Sequence, residues 1–99
     1  MDLKQKILTN TFVDQVRNGF VVDETAFEEL CNLLEQLAVE WKGKEEINKE
    51  LARDLYVISY VTRNMMDYLR MDDKNKEKAD LIEQKWQKLD DLVLNCFSA

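Results

Sequence analysis

The sequence has no proline and only two glycines among its 99 residues. Proline and glycine form most tight turns, so their scarcity predicts few turns and therefore few, long secondary-structure elements. This pattern argues against an all-β fold, which would need many turns to connect its short strands. A chain of this length builds one core, so we expect a single domain over residues 1–99.

Histidine is also absent, and its absence excludes several classes of active site. Without it the chain lacks the commonest general base and the commonest metal ligand. Ser-His-Asp and Cys-His hydrolysis, the HExxH zinc site and the Glu-x-x-His di-iron bundle are all excluded. Ser59 has no base to activate it, and the two glycines make no phosphate-binding loop. We therefore expect a non-enzymatic protein with no catalytic residues, no metal and no cofactor.

Cysteine is scarce, since Cys31 and Cys96 are the only two in the chain. Two cysteines are too few for a disulfide scaffold, and they lack the CxxC spacing of a zinc site. Both fall on apolar faces of predicted helices. We therefore expect buried free thiols that pack as small hydrophobic groups.

Long apolar runs and long basic runs are missing as well. No segment approaches the roughly eighteen apolar residues of a membrane helix, and the N-terminus has no apolar block long enough for a secretory signal. The only basic run, Lys74, Lys76 and Lys78, has acids beside it and lacks the basic stripe that phosphate contacts require. We expect a soluble protein that binds neither membranes nor nucleic acid directly. It would be cytoplasmic, or the mature form of a protein whose signal is absent from this sequence.

Apolar residues spaced by three and four positions predict helices throughout the chain. Gly19 suits the left-handed position after the first helix, and Asp23 suits the N-cap of the second. Val22 and Phe27 form a hydrophobic staple pair around that cap. The predicted helices span about residues 2–18, 24–42, 45–71 and 74–97.

The connections between these helices are short, roughly two to five residues, which makes successive helices antiparallel. The sequence therefore predicts an all-α fold, an up-down-up-down antiparallel four-helix bundle. In this topology the second and fourth helices run parallel. We expect Cys31 and Cys96 to differ by roughly 20 Å in height, too far for a disulfide within one chain.

The segment LYVISYVTRNMMDYL, residues 55–69, also contains the β-branched and aromatic residues that are typical of a strand. However, its apolar residues belong to a longer stripe with alternating spacings of three and four, which is typical of a helix. The stripe comprises Leu51, Leu55, Ile58, Thr62, Met65 and Leu69. A lone strand would have no partner elsewhere in the chain, so we favour the helix.

The net charge of −6 arises from one part of the chain. Residues 18–41 hold six acids and no Lys or Arg, whereas the remaining residues hold 14 acids and 14 bases. The acids are Asp23, Glu24, Glu28, Glu29, Glu35 and Glu40. The outer face of the second predicted helix is therefore either a docking face for a basic protein or a solvated surface that keeps the chain soluble. A metal site is not expected, because these carboxylates point outward from one helix.

All three tyrosines lie on the third predicted helix. Tyrosine and arginine are enriched at protein interfaces, so one interpretation is a contact face on that helix. This face would consist of Arg53, Tyr56, Tyr60, Arg63 and Asp67. The other interpretation is that the helix is long and central, so that neighbours on both sides cover Val57, Val61 and Tyr68 and the tyrosine hydroxyls reach water at the edge.

No motif identifies a family, but in size, acidity and helical pattern the chain is similar to many small bacterial inhibitors. These include toxin-immunity and nuclease-inhibitor proteins. We expect an acidic protein-binding module that neutralises or regulates a protein with a basic surface. The alternatives are a homodimeric structural bundle that pairs through the third helix, and a helical adaptor or chaperone that uses Met65, Met66 and Met71 as an adaptable surface.

Overall fold

Five α-helices and one short 3₁₀ turn form the secondary structure of residues 1–98, the part of the chain that the computed structural model describes. No strand occurs in these residues, so the segment 55–69 is helical as predicted. The helices are α1 (Leu3–Leu8), α2 (Phe12–Gly19), α3 (Glu24–Trp41), α4 (Lys49–Arg70) and α5 (Lys76–Ser98), and the 3₁₀ turn is Asp73–Asn75.

The first predicted helix is divided into α1 and α2 by a break at residues 9–11. These residues are Thr, Asn and Thr, whose side chains compete with the helix for backbone hydrogen bonds. Asn10 accepts a hydrogen bond from the Phe12 N–H through Oδ1 at 3.0 Å, and it donates through Nδ2 to the Ala26 carbonyl at 3.0 Å. Asn10 therefore fixes the start of α2 and ties the break to the first turn of α3.

The predicted start of α3 is confirmed, whereas α4 starts later than predicted. The Asp23 carboxylate accepts a hydrogen bond from the Ala26 N–H at 3.1 Å. This bond, together with one from the Gln15 side chain, lowers the pKa of the Asp23 carboxyl below its usual value. Asn48 caps α4 by accepting from the Leu51 N–H at 3.0 Å, which leaves residues 42–48 as the connection from α3.

Side-chain contacts show that α3 and α5 run parallel. At one end Lys85 Nζ lies 2.7 Å from Glu24 Oε2, and at the other the rings of Trp41 and Phe97 lie 5.7 Å apart. Residue numbers therefore increase in the same direction along both helices. This arrangement agrees with the predicted parallel orientation of the second and fourth bundle helices.

Helices α4 and α5 are antiparallel neighbours. Arg70 Nη2 lies 3.1 Å from Asp80 Oδ1 and 2.6 Å from Glu83 Oε2, near the end of α4 and the start of α5. Trp86 lies one to two turns further along α5, and the Arg63 guanidinium of α4 lies 5.5 Å from the centre of its ring. The contacting residue numbers therefore decrease along α4 as they increase along α5, which confirms the predicted antiparallel pairing.

The first two helices occupy one corner of the bundle and run parallel to α4. Lys4 Nζ lies 2.9 Å from Glu50 Oε1, and the Phe20 and Tyr68 rings stack at 5.8 Å. No close backbone contact joins α3 to α4, or α1 and α2 to α5, within residues 1–98. These pairs are diagonal, so the order around the bundle is α1 with α2, then α3, α5 and α4. The long connection at residues 42–48 crosses one end of the bundle.

The core lies along the bundle axis and contains side chains from every α-helix. The predicted stripe on α4 is correct except at one position, where Met66 is buried and Met65 is only partly buried. Thr62 is the one buried polar residue among residues 1–98, and its hydroxyl donates to the Ile58 carbonyl at 2.7 Å. This local bond satisfies the hydroxyl without a partner on another helix.

The two cysteines lie closer together along the bundle axis than predicted. Both are buried free thiols as expected, but Cys96 Sγ donates to the Leu34 carbonyl at 3.3 Å. Leu34 is three residues from Cys31, so the thiols are separated by roughly one to two turns and not by 20 Å. The reason is that α5 is shifted along the bundle axis relative to α3. The number of residues in each helix does not reveal such a shift.

The glycines also differ from the prediction, because Gly19 is the last residue of α2 and the left-handed residue is Phe20. Phe20 has φ 54° and ψ 30°, and its ring stacks on Tyr68. Gly43 has φ 74°, a backbone conformation that residues other than glycine rarely adopt. A Cβ at Gly19 would meet only the Val21 Cγ2 at 3.6 Å, which is an ordinary contact.

We predict that Gly19→Ala and Gly43→Ala change stability in opposite directions. Gly19→Ala is expected to raise the free energy of unfolding by about 0.5–1 kcal/mol, since it restricts the unfolded chain. Gly43→Ala is expected to lower it by about 1 kcal/mol, because alanine at positive φ is strained. Urea titration followed by circular dichroism measures both. Gly43→Asn should lose less than Gly43→Ala, and equal effects of alanine at the two sites would contradict this assignment.

Candidate functional site: an exposed groove between α4 and α5

The tyrosine pair on α4 is exposed and not covered by neighbouring helices. Tyr56 and Tyr60 are 65% and 53% exposed, and their rings stack at 5.6 Å with an interplanar angle of 17°. They lie one turn apart, outside the buried stripe of α4 and on the side that faces α5. Of the side chains that the alternative interpretation places under neighbouring helices, Val57 and Val61 are partly buried, whereas Tyr68 is 62% exposed.

Apolar side chains of α5 complete a groove beside this pair. Leu94 and Phe97 are 56% and 50% exposed, and Trp86 is partly buried. The open volume between the two helices is about 370 Å³. We call this feature the α4/α5 groove; its lining residues are Tyr56, Ser59, Tyr60, Arg63, Trp86, Asp90, Val93, Leu94 and Phe97.

Three polar groups interrupt the apolar lining. Arg63 lies over the Trp86 ring, so its charge is held against the wall of the groove. Asp90 is partly buried and makes no ion pair within residues 1–98. The Ser59 hydroxyl is buried and has no hydrogen-bond partner in the described part of the chain. The groove thus offers a small number of polar contacts within an aromatic surface.

The structure brings together only part of the contact face that the sequence predicts. Tyr56, Tyr60 and Arg63 line the groove. Arg53 is absent from the groove lining and instead lines a separate depression with Leu8 of α1. Asp67 is exposed one turn beyond Arg63, outside the groove lining.

The α5 wall was not predicted, although the sequence contained an indication of it. Leu94 and Phe97 lie outside the buried apolar stripe of the fourth predicted helix. Apolar residues in excess of one stripe indicate a second contact surface. Which residues of α5 lie beside the tyrosines depends on the register between α4 and α5, and the sequence does not specify that register.

All five predicted glutamates of α3, namely Glu24, Glu28, Glu29, Glu35 and Glu40, are exposed. They lie in two rows along the edges of the helix, and neutral residues such as Asn32 and Gln36 separate the rows.

Basic residues of neighbouring helices approach both rows. Lys85 of α5 pairs with Glu24 at 2.7 Å. Lys6 of α1 lines a depression with Glu28 and Glu29. The charge of α3 is therefore partly balanced in space, although the sequence shows no base within the helix.

A second, smaller cleft lies beside the break between α1 and α2, with a volume of about 110 Å³. Asp14 and Asp54 both line it. Burial, followed by the nearby Asp14 carboxylate, raises the pKa of Asp54 above its usual value. Two carboxylates are too few for a metal site, and no group of three or more potential metal ligands occurs within residues 1–98.

The methionines do not form the adaptable surface that the adaptor hypothesis requires. Met66 is buried, Met65 packs against the core, and Met71 is 85% exposed at the end of α4. Three such different environments give no shared contact area.

No helix in the described residues is long and apolar enough to cross a membrane.

Comparisons of the chain with protein-family models, with curated proteins and with solved structures gave no match. The α4/α5 groove and the charges around it are therefore the features of the molecule that indicate a function.

Proposed function

We propose that this chain is a non-enzymatic protein-binding module that docks a basic partner protein in the α4/α5 groove. The observation that carries the proposal is the exposure of Tyr56 and Tyr60 beside Leu94 and Phe97 on a bundle that already has a complete core. Side chains that are not needed for the core, and that are costly to leave in water, are best explained by a partner that covers them.

The size of the exposed surface is appropriate for a binding site. From the exposed fractions of the four side chains, the apolar area is roughly 400 Å². This is comparable to the largest patch on a typical monomer, and such patches are often functional. Tyrosine, tryptophan and arginine, which all line the groove, are also the residues enriched at interface hot spots.

The net charge of −6 favours a partner of the opposite sign. The exposed glutamates on α3 would attract a basic protein over long distances and raise the association rate, while the groove would supply the short-range contact. In this proposal the chain acts as a bacterial inhibitor or immunity-type protein, and the α3 acids act in steering and not in docking.

A homodimer through the same groove is the second candidate, because the exposed tyrosines would equally suit a twofold contact. One feature disfavours it, because association would bring together two copies that each carry a net charge of −6.

The experiment that tests the proposal is site-specific photo-crosslinking in the cells that produce the protein. A photoreactive phenylalanine at Tyr60 is expected to form a crosslink to one discrete foreign protein. The same residue at Gln84, which is exposed on α5 outside the groove lining, is the matched control. The crosslink from position 60 should disappear when Leu94→Arg is added.

Two results would contradict the proposal. Crosslinks of equal yield from positions 60 and 84 would mean that the groove has no preference for a partner. A crosslink whose mass equals that of two copies of this chain would favour the homodimer. Light scattering over a concentration series would then show a dimer that Leu94→Arg dissociates.

A further inference from the structure

The geometry of the α4/α5 groove points to an amphipathic, basic α-helix as the segment of the partner that enters it. This inference depends on the proposed function, since it specifies the shape and charge of what the groove binds. We propose that apolar side chains on one face of that helix contact Tyr56, Tyr60, Leu94 and Phe97. Basic side chains at its edges would meet the carboxylates beside the groove.

The backbone of the groove selects a helix over an extended peptide. Both walls are α-helices, so their backbone N–H and carbonyl groups are already paired within α4 and α5. An extended peptide between them would find no backbone partners and would bury unsatisfied polar groups. A helix satisfies its own backbone and presents only side chains, which is the usual mode of recognition in grooves between helices.

The length of the groove fits a short helix. Trp86 and Phe97, at its two ends on α5, are eleven residues apart, which corresponds to roughly 16 Å along the helix axis. Apolar residues at positions i, i+4 and i+7 of a partner helix span roughly 10 Å. Three such side chains therefore fit between the ends, and the open volume of about 370 Å³ lies within the usual range for binding pockets.

The charges around the groove favour a basic helix. Asp67 and Asp90 make no ion pair within residues 1–98. Arg63 also lines the groove, where its guanidinium lies over the Trp86 ring. Lysine or arginine flanking the apolar face of a helix would pair with Asp67 and Asp90, and the net charge of −6 favours a partner of the same positive sign.

A designed peptide tests this inference without knowledge of the partner. The probe is a fluorescein-labelled helix of about 18 residues with leucine at i, i+4, i+7 and i+11 and lysine on its flanks. One control peptide has the same composition in scrambled order, and another has glutamate in place of lysine. Fluorescence anisotropy at low and moderate salt is expected to show at least roughly tenfold weaker binding of both controls.

A matched pair of variants separates the groove from the overall charge. Leu94→Arg and Val39→Arg each replace an exposed apolar residue, 56% and 77% exposed, and each adds one positive charge. Val39 lies on α3, away from the groove lining. Leu94→Arg is expected to weaken probe binding by roughly tenfold or more, and Val39→Arg by less than about twofold. Tyr60→Ala, which changes no charge, should weaken binding as well.

Equal effects of Leu94→Arg and Val39→Arg would overturn the inference, because binding would then be a general attraction of opposite charges. Equal affinity for the probe and the scrambled peptide would overturn it as well. If crosslinking from Tyr60 captures a foreign protein but the probe does not bind, the docking function stands and the helical partner is wrong. If neither occurs, and light scattering shows a dimer, the groove binds a second copy.

Discussion

Replacing Phe12 with alanine is expected to lower the free energy of unfolding by about 3–5 kcal/mol. Phe12 is fully buried, and its ring lies 5.2 Å from that of Phe27 at an angle of 54°. It is also the first residue of α2, so its ring and the Asn10 cap together hold α2 against α3. The substitution would leave a cavity at the point where the first bundle helix is broken.

A domain of this size has a total stability of roughly 5–15 kcal/mol, so this loss is a large fraction of it. The midpoint of thermal unfolding should fall by roughly 15 °C or more. Phe97→Ala is the control, because Phe97 is 50% exposed and its removal should cost less than about 1.5 kcal/mol. If Phe12→Ala leaves no folded protein, Phe12→Leu gives a smaller, measurable loss. Equal losses for Phe12→Ala and Phe97→Ala would mean that α2 does not pack as described.

The second large effect is the protection of the two thiols in the folded protein. Burial raises the pKa of the Cys96 thiol from 9.0 to about 11, and burial is also the main cause of the raised pKa of Cys31. Because the thiolate is the reactive form, this shift alone reduces the reactive fraction of Cys96 at pH 8 roughly hundredfold. Steric exclusion of the reagent adds further protection.

The prediction is that a chromogenic disulfide reagent modifies Cys31 and Cys96 at least roughly a hundredfold more slowly in buffer than in guanidinium chloride. Asn95→Cys provides an internal control, since residue 95 is exposed next to Cys96 on the same helix. That variant should show one fast thiol and two slow ones. Fast modification of Cys96 in the unaltered protein would show that the last turns of α5 separate from α3.

The rigidity of its two walls makes the α4/α5 groove suitable for recognition. Both walls are long helices of the bundle, and Arg70 joins them at one end through Asp80 and Glu83. A groove formed by packed helices loses little conformational entropy when a partner binds. The exposed tyrosine pair is already stacked, so it also presents its contact area in an ordered form.

The sequence by itself determined the secondary structure and the fold class. Apolar spacing identified the long helices, and the Asp23 cap placed the start of α3 correctly. These properties depend on residues within a few positions of one another, which is why the sequence reveals them. The same local reasoning missed the break at residues 9–11. Thr-Asn-Thr is only weakly helical by itself, and the hydrogen bond from Asn10 to the Ala26 carbonyl that stabilises the break comes from another helix.

Only the tertiary structure decided which surfaces are free and which charges are balanced. The tyrosines on α4 were identified from the sequence, but the register between α4 and α5 placed Leu94 and Phe97 beside them and formed the groove. In the same way, Lys85 meets Glu24 across 61 positions of sequence. Helix order around a bundle and the register between helices depend on contacts between distant residues, so periodicity within one helix cannot supply them.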